Sequence, residues 1–125
     1  AAGGMASGFT NTISKDTLSV PCLRLKHFLQ EPIDFLKLDI EGAEREVLKD
    51  CGSSLGMVKR IFVEYHGQFN EQEKLVNILN ILKNAGFHYY LREAASLYPT
   101  PFYRTKSSEH PYQVQLNIFG FRAGE

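Results

Sequence analysis

The chain reads as an α/β protein with a mostly parallel sheet and an antiparallel last strand. Three observations predict this. Residues 33–40, Ile33-Asp34-Phe35-Leu36-Lys37-Leu38-Asp39-Ile40, form a nearly continuous apolar run, the mark of a strand buried on both faces. An amphipathic stretch over 42–51 leads into a second such run from Val58 to Tyr65, and strand, helix and strand with short connections imply a parallel pair with a right-handed crossover. Near the other end, Val114, Leu116 and Ile118 alternate with Gln113, Gln115 and Asn117, which suits an antiparallel or edge strand.

Taken in order, residues 1–16 are rich in Gly, Ala, Ser and Thr without periodicity and read as a flexible arm, with one partial α/β domain over 17–125. Residues 18–23 have strand-like character, but Pro21 cannot donate to a ladder and belongs at an edge or strand end. Leu25 to Leu29 reads as a short helical turn that Pro32 closes. In the helix over 42–51, Ala43, Val47, Leu48 and Cys51 make the apolar face, while Glu44, Arg45, Glu46, Lys49 and Asp50 are assigned to the other, and Gly52 stands where a helix end favours a left-handed residue. Asn70 offers an N-cap to a second helix, with Glu73 completing a capping-box-like pair. Leu75, Ile78, Leu79 and Leu82 form its apolar stripe, and Gly86 ends it. Residues 87–92 are a third strand. A long connection over 94–112 precedes the last strand, and loops of that length are functional or disordered.

Composition narrows the function classes. Hydrophobic residues at 43% and charged residues at 22% are an ordinary globular balance. Fourteen basic and fourteen acidic side chains cancel, so no global field favours nucleic acid or an anionic membrane, and neither is expected as a partner. No apolar run approaches the roughly 18 residues a membrane span needs. Two cysteines, Cys22 and Cys51, are too few for a disulfide scaffold, which points to a reduced cytoplasmic protein. The four histidines are scattered, so no preformed metal cage is expected. The start at Ala1 without a leader-like segment fits a fragment boundary.

The block Ile33-Asp34-Phe35-Leu36-Lys37-Leu38-Asp39-Ile40-Glu41-Gly42-Ala43-Glu44-Arg45-Glu46-Val47-Leu48 resembles the signature of FkbM-type methyltransferases: a hydrophobic strand with Lys-x-Asp-x-Glu-Gly-Ala-Glu, running into a helix with Val-Leu. Val63-Glu64-Tyr65-His66 is similar to the family's next strand end, and Asn84-Ala85-Gly86-Phe87 to its helix exit. The resemblance spans roughly residues 18–92. It implies the C-terminal half of a class I (Rossmann-like) methyltransferase that uses S-adenosylmethionine to methylate an oxygen of a sugar, lipid or polyketide-like acceptor. Leu25-Lys26-His27 stands where the family often has Leu-Asp-Asp. The glycine-rich cofactor loop has no counterpart, because Gly3, Gly4 and Gly8 neither follow a strand nor open a helix. The fragment by itself is therefore expected to be inactive.

In an open parallel sheet, ligands bind outside the carboxyl ends of the strands. Those ends carry Asp39, Ile40 and Glu41 on one strand and Glu64, Tyr65, His66 and Gly67 on its neighbour, and parallel neighbours about 4.8 Å apart let such groups converge. Asp39 and His66 are the expected catalytic residues, with His66 as general base because an imidazole titrates near physiological pH. Glu41 and Tyr65 at the same rim, and Tyr103 and Arg104 on the 94–112 connection, are expected to bind the acceptor. The bland readings stand beside these. Carboxylates such as Glu41 and Glu44 are favoured in a first helical turn by the dipole alone, the reading given to Glu44. Lys37 and Asp39 share a strand face and could form a structural ion pair. The connection is either an acceptor lid or a solvated insertion packing its own aromatics.

With no earlier strand beside it, one edge of 33–40 should be open, and an open apolar edge invites pairing, either by residues 17–23 or by a second copy in a homo-oligomer. Two rival functions remain: a non-catalytic interaction module built on the half-sheet, and a receiver-like domain with Asp39 as phospho-acceptor. The last lacks an acidic cluster to hold magnesium.

Overall fold

The computed structural model describes residues 24–104 and 110–124. The arm over 1–16 and the strand-like 17–23 lie outside the described residues, so neither the arm nor the pairing expected of 17–23 is addressed. After a short 3-10 turn at Leu25–Phe28 come strand β1 (Ile33–Leu38), helix α1 (Glu44–Cys51), a 3-10 segment (Gly52–Met57) and strand β2 (Val58–Gly67). A 3-10 turn at Phe69–Glu71 leads into helix α2 (Glu73–Asn84), and strands β3 (His88–Glu93) and β4 (Val114–Phe121) complete the order.

The four strands form one mixed sheet ordered β1-β2-β4-β3. β1 and β2 are parallel, with Leu38 opposite Val63. β4 is antiparallel to both neighbours and lies between them, so its alternation marks its direction and not an edge position. Among the described residues, the outer edge of β1 pairs with no strand.

Both helices cover the same face. α1 and α2 pack on each other and both touch β2. Beneath them, Leu38, Ile61, Val63, Tyr65 and Ile118 meet Val47, Leu48, Cys51, Ile78, Leu82 and Phe87 in one core, each fully buried aliphatic side chain contributing about 1.5–3 kcal/mol. The burial expected on both faces of β1 is not observed. Among the described residues nothing covers its other face, where Phe35 is 55% exposed. A run of apolar residues reports hydrophobicity, and cannot say which layer will cover it. Along that open face, Phe62 meets Phe119 edge-on at 5.3 Å and Tyr90 stacks on Phe119 at 5.1 Å. Lys37 places its Nζ 5.8 Å from the centre of the Phe62 ring, and does not form the ion pair expected with Asp39.

Helix ends follow local chemistry. The capping box expected of Asn70 is not formed: Asn70 lies within the 3-10 turn, Gln72 is the N-cap, and no side chain caps α2. Its other end closes as expected at Gly86, whose φ of 92° lets Gly86 N–H reach Lys83 O and Phe87 N–H reach Leu82 O. Arg122 then ties three elements. It donates to the carbonyls of Leu55 and Val58, both at 2.8 Å, and to that of Ala85, while its guanidinium lies 3.8 Å from the centre of the Phe87 ring.

Tyr65 is buried in the core, and its hydroxyl has no hydrogen-bond partner among the described residues. An orphaned buried polar group costs about 1–3 kcal/mol. Tyr65→Phe should therefore raise stability by about 1 kcal/mol in urea unfolding, and a loss would show that the hydroxyl has a partner. Gly67 leaves room for this ring: a Cβ there would stand 2.0 Å from the Tyr65 hydroxyl and 2.3 Å from Cζ. Gly67→Ala should cost about 2–3 kcal/mol by overpacking, in the Tyr65→Phe background as well, because Cζ remains.

Candidate functional site

The parallel register carries the C-terminal ends of β1 and β2 to one rim, and continuing it by one residue sets Asp39 beside Glu64. Alternation puts Asp39, Glu64 and His66 on the open face and Val63 and Tyr65 on the core face. After β1 the chain reverses through Glu41 (φ 49°) and Gly42 (φ 105°). A non-glycine residue in that region is uncommon, and such backbone clusters at functional turns. The reversal returns Glu44, the first residue of α1, beneath the end of β2.

Glu44 is 1% exposed and organises the rim. Its Oε2 accepts from Gly42 N–H at 3.0 Å, from Ile40 N–H at 3.3 Å and from His66 Nδ1 at 3.2 Å, and its Oε1 accepts from His66 N–H at 3.4 Å. A buried carboxylate is tolerable only with donors of this number. An ionised carboxylate can only accept, so Nδ1 carries a hydrogen and Nε2 is the nitrogen left to react.

Nε2 faces two more carboxylates, Glu64 Oε2 at 3.5 Å and Asp39 Oδ1 at 3.7 Å, and makes no hydrogen bond among the described residues. The His66 side chain is 5% exposed, while those of Asp39 and Glu64 are 38% and 21% exposed, so a ligand can reach the carboxylates and through them the ring. Gln115 donates to Glu64 Oε2 at 3.1 Å and fixes it. Tyr112 covers the imidazole, ring centres 4.9 Å apart, and its hydroxyl donates to the Glu41 carbonyl at 2.9 Å. Burial works to lower the His66 pKa. The bond to Glu44 and the charges of Glu44, Glu64 and Asp39 outweigh it and hold the imidazole above its ordinary value. Burial and the Glu41 and Glu44 charges also push the Tyr112 phenol up.

Of the residues expected from sequence, the structure brings Asp39 and His66 together. Glu41 lies on the same turn, exposed, and it is its carbonyl that is held. Tyr65 lies on the core face, away from the rim. The described parts of the connection, 94–104 and 110–112, reach this end of the sheet: Tyr98 hydroxyl donates to Gln113 O at 2.7 Å, Gln68 Nε2 to Pro111 O at 2.9 Å, and Gln113 Oε1 accepts from Phe69 N–H at 2.9 Å. Arg104 stacks on Phe69 with 4.9 Å from its guanidinium carbon to the ring centre, and Tyr103 is 75% exposed. Among the described residues, no hydrogen bond, ion pair or ring contact joins either one to the Asp39–His66 cluster.

Sequence reasoning placed Glu64 at the rim without giving it a role, assigned Glu44 to the helix dipole, and did not single out Tyr112 and Gln115. For Glu44 a signal existed. Residues 44, 47, 48 and 51 share one helical stripe, so Glu44 belongs to the face of Val47, Leu48 and Cys51, not the polar face first assigned. A carboxylate inside an apolar stripe requires buried donors. Cys51, at the other end of the stripe, is a free thiol that burial raises to about 11, which leaves it inert.

A family model, that of the methyltransferase FkbM domain, matches residues 1–89, a span that includes Asp39, Glu44, Glu64 and His66. No curated protein and no solved structure matches the chain.

Proposed function

Since the chain belongs to the methyltransferase FkbM family, we propose that it forms the acceptor-side half of a class I, Rossmann-like S-adenosylmethionine-dependent O-methyltransferase acting on a hydroxyl of a sugar, lipid or polyketide-like molecule. The observation that carries this reading is the buried Glu44–His66 pair, which aims a basic nitrogen at a partly exposed acidic rim. Glu44 holds the ring and its tautomer, Nε2 takes the proton of the acceptor hydroxyl, and Asp39 orients that hydroxyl. Glu41, on the adjoining turn, and Tyr103 and Arg104, on the neighbouring connection, extend the acceptor surface.

The described residues fit S-adenosylmethionine only in part. The anionic rim of Asp39 and Glu64 suits the cationic end of that molecule, whereas no glycine-rich turn between a strand and a helix is formed among them to cradle the adenosyl group. When bound, the cofactor supplies the electrophilic methyl. This chain alone should bind it weakly or not at all. Among the described residues no helix is long and apolar enough to cross a membrane. The low cysteine count is what supports a cytoplasmic location.

The test is transfer of labelled methyl from S-adenosylmethionine to hydroxyl acceptors by the protein that carries this chain. Asp39→Asn should lower turnover by about ten- to a hundredfold, the size of a lost orienting contact, with the melting temperature little changed. Unchanged turnover would remove Asp39 from the site. A non-catalytic interaction module is favoured by one observation, the open aromatic face with Phe35 and Tyr90 about half exposed, and such a module would transfer no methyl group.

A further inference from the structure

The same rim has the composition and spacing of a cation site. Asp39, Glu64 and His66 each offer one ligand atom, and the three atoms lie within 4.8 Å of one another. With Nε2 3.5 Å from Glu64 Oε2 and 3.7 Å from Asp39 Oδ1, a triangle so proportioned has its centre roughly 2.4 Å at most from each corner, inside the bond range of about 2.0–2.6 Å that divalent cations take with oxygen and nitrogen. Carboxylates gather at surfaces without meaning, so acidity alone would not make this a site. The second observation is the imidazole: a nearly buried ring whose Nε2, with no hydrogen bond of its own, is aimed between two carboxylate oxygens.

The surroundings are those a metal-ligating histidine needs. The other ring nitrogen is held by a buried carboxylate, Glu44, which fixes the tautomer, turns Nε2 outward and raises its basicity. Glu64 is itself held by Gln115. Asn117, paired with Glu64 across the β2–β4 ladder, has a buried Oδ1 with no hydrogen-bond partner among the described residues, a neutral oxygen of the kind that hard cations accept.

We propose that Asp39, Glu64 and His66 Nε2 bind one divalent cation of the Mn2+ type, for which two carboxylates and one imidazole are a suitable mixed set. It binds on the exposed side of the rim, with positions left for water or for the acceptor's oxygen. The proposal rests on the methyltransferase reading only for that last ligand. With the cation in place, Nε2 is a ligand and no longer a base; coordination lowers the pKa of the acceptor hydroxyl, and its proton passes to solvent water on the exposed side of the rim. Acceptors with two adjacent oxygens, such as vicinal diols, would then be preferred, since they can chelate.

The experiment is a titration of this chain, stripped with chelator, with Mn2+ alone, followed by the electron paramagnetic resonance of free Mn2+ and by broadening of the His66 ring signals in NMR. One saturable ion per chain is expected, with His66 broadened first. Asp39→Asn and Glu64→Gln should each weaken binding at least tenfold, and Asp34→Asn, exposed at the far end of β1, should stay within twofold. Absence of a stoichiometric site, or affinity indifferent to both rim substitutions, overturns the proposal. Should a variant not fold, broadening in the unaltered chain decides: signals lost elsewhere while His66 stays sharp count against the site. No methyl transfer is measured, so failure here would leave His66 as a metal-free base.

Discussion

Replacing Glu44 with alanine is expected to destabilise the fold by about 3–5 kcal/mol, the cost of breaking a buried charged pair by removing one partner. The substitution strips acceptors from the N–H groups of Ile40, Gly42 and His66 and leaves His66 Nδ1 without its carboxylate partner, all near the 1% exposed centre of the rim. For a domain of this size each kcal/mol is worth about 4–8 °C, so the melting temperature should fall by more than about 10 °C. Glu44→Gln keeps the shape and one acceptor oxygen and should lose less. A fall under about 1 kcal/mol for the alanine variant would show that water replaces the carboxylate without penalty.

The same pair sets a pH dependence. Facing His66 are Glu44 from α1, Asp39 beyond β1, Glu64 on β2 and Tyr112 ahead of β4; burial works to lower the imidazole pKa, and the three carboxylates outweigh burial and raise that pKa in the folded state. A folded value above the unfolded one means that the protonated ring contributes stability fully below the unfolded histidine value of about 6.5. That contribution is lost as pH rises through the folded value. Thermal melts in chelator should show stability declining over that interval, and Glu44→Gln should shrink the decline.

The second large effect is on turnover. His66→Gln should lower methyl transfer by about 10²–10⁴, the contribution of a positioned proton-transfer group. Glutamine can still receive the Glu44 contact through its amide, so folding should suffer less than catalysis, and the loss should appear in kcat more than in KM. The expectation holds whether Nε2 takes the proton or holds a cation that acidifies the hydroxyl, since both need that nitrogen. Turnover within threefold of the unaltered protein would place the chemistry elsewhere.

Much of this fold was legible. The apolar run of β1, the periodicity of α1 and the second run of β2 dictate a parallel pair, and a parallel pair puts Asp39 and His66 at one rim. What could not be read depended on contacts distant in sequence. The apolar face of β1 carries no mark of which layer covers it, so Phe35 was expected to be buried. The position of β4 between β2 and β3 is a matter of pairing partner, and local alternation is silent on that. Asn70 has the chemistry of a cap, yet the 3-10 turn at Phe69–Glu71 takes it first. Glu44 is a different case: its place in the stripe with Val47 and Leu48 was visible, and the dipole explanation was preferred to it.

The most direct measurement is a ¹⁵N–¹H correlation of the His66 ring across a pH series on this chain. The arrangement requires a hydrogen on Nδ1, bonded to Glu44, with Nε2 as the titrating nitrogen and a midpoint above about 6.5, the unperturbed histidine value. A neutral ring carrying its hydrogen on Nε2, or a midpoint below that value, would mean that Glu44 does not orient His66 toward the rim.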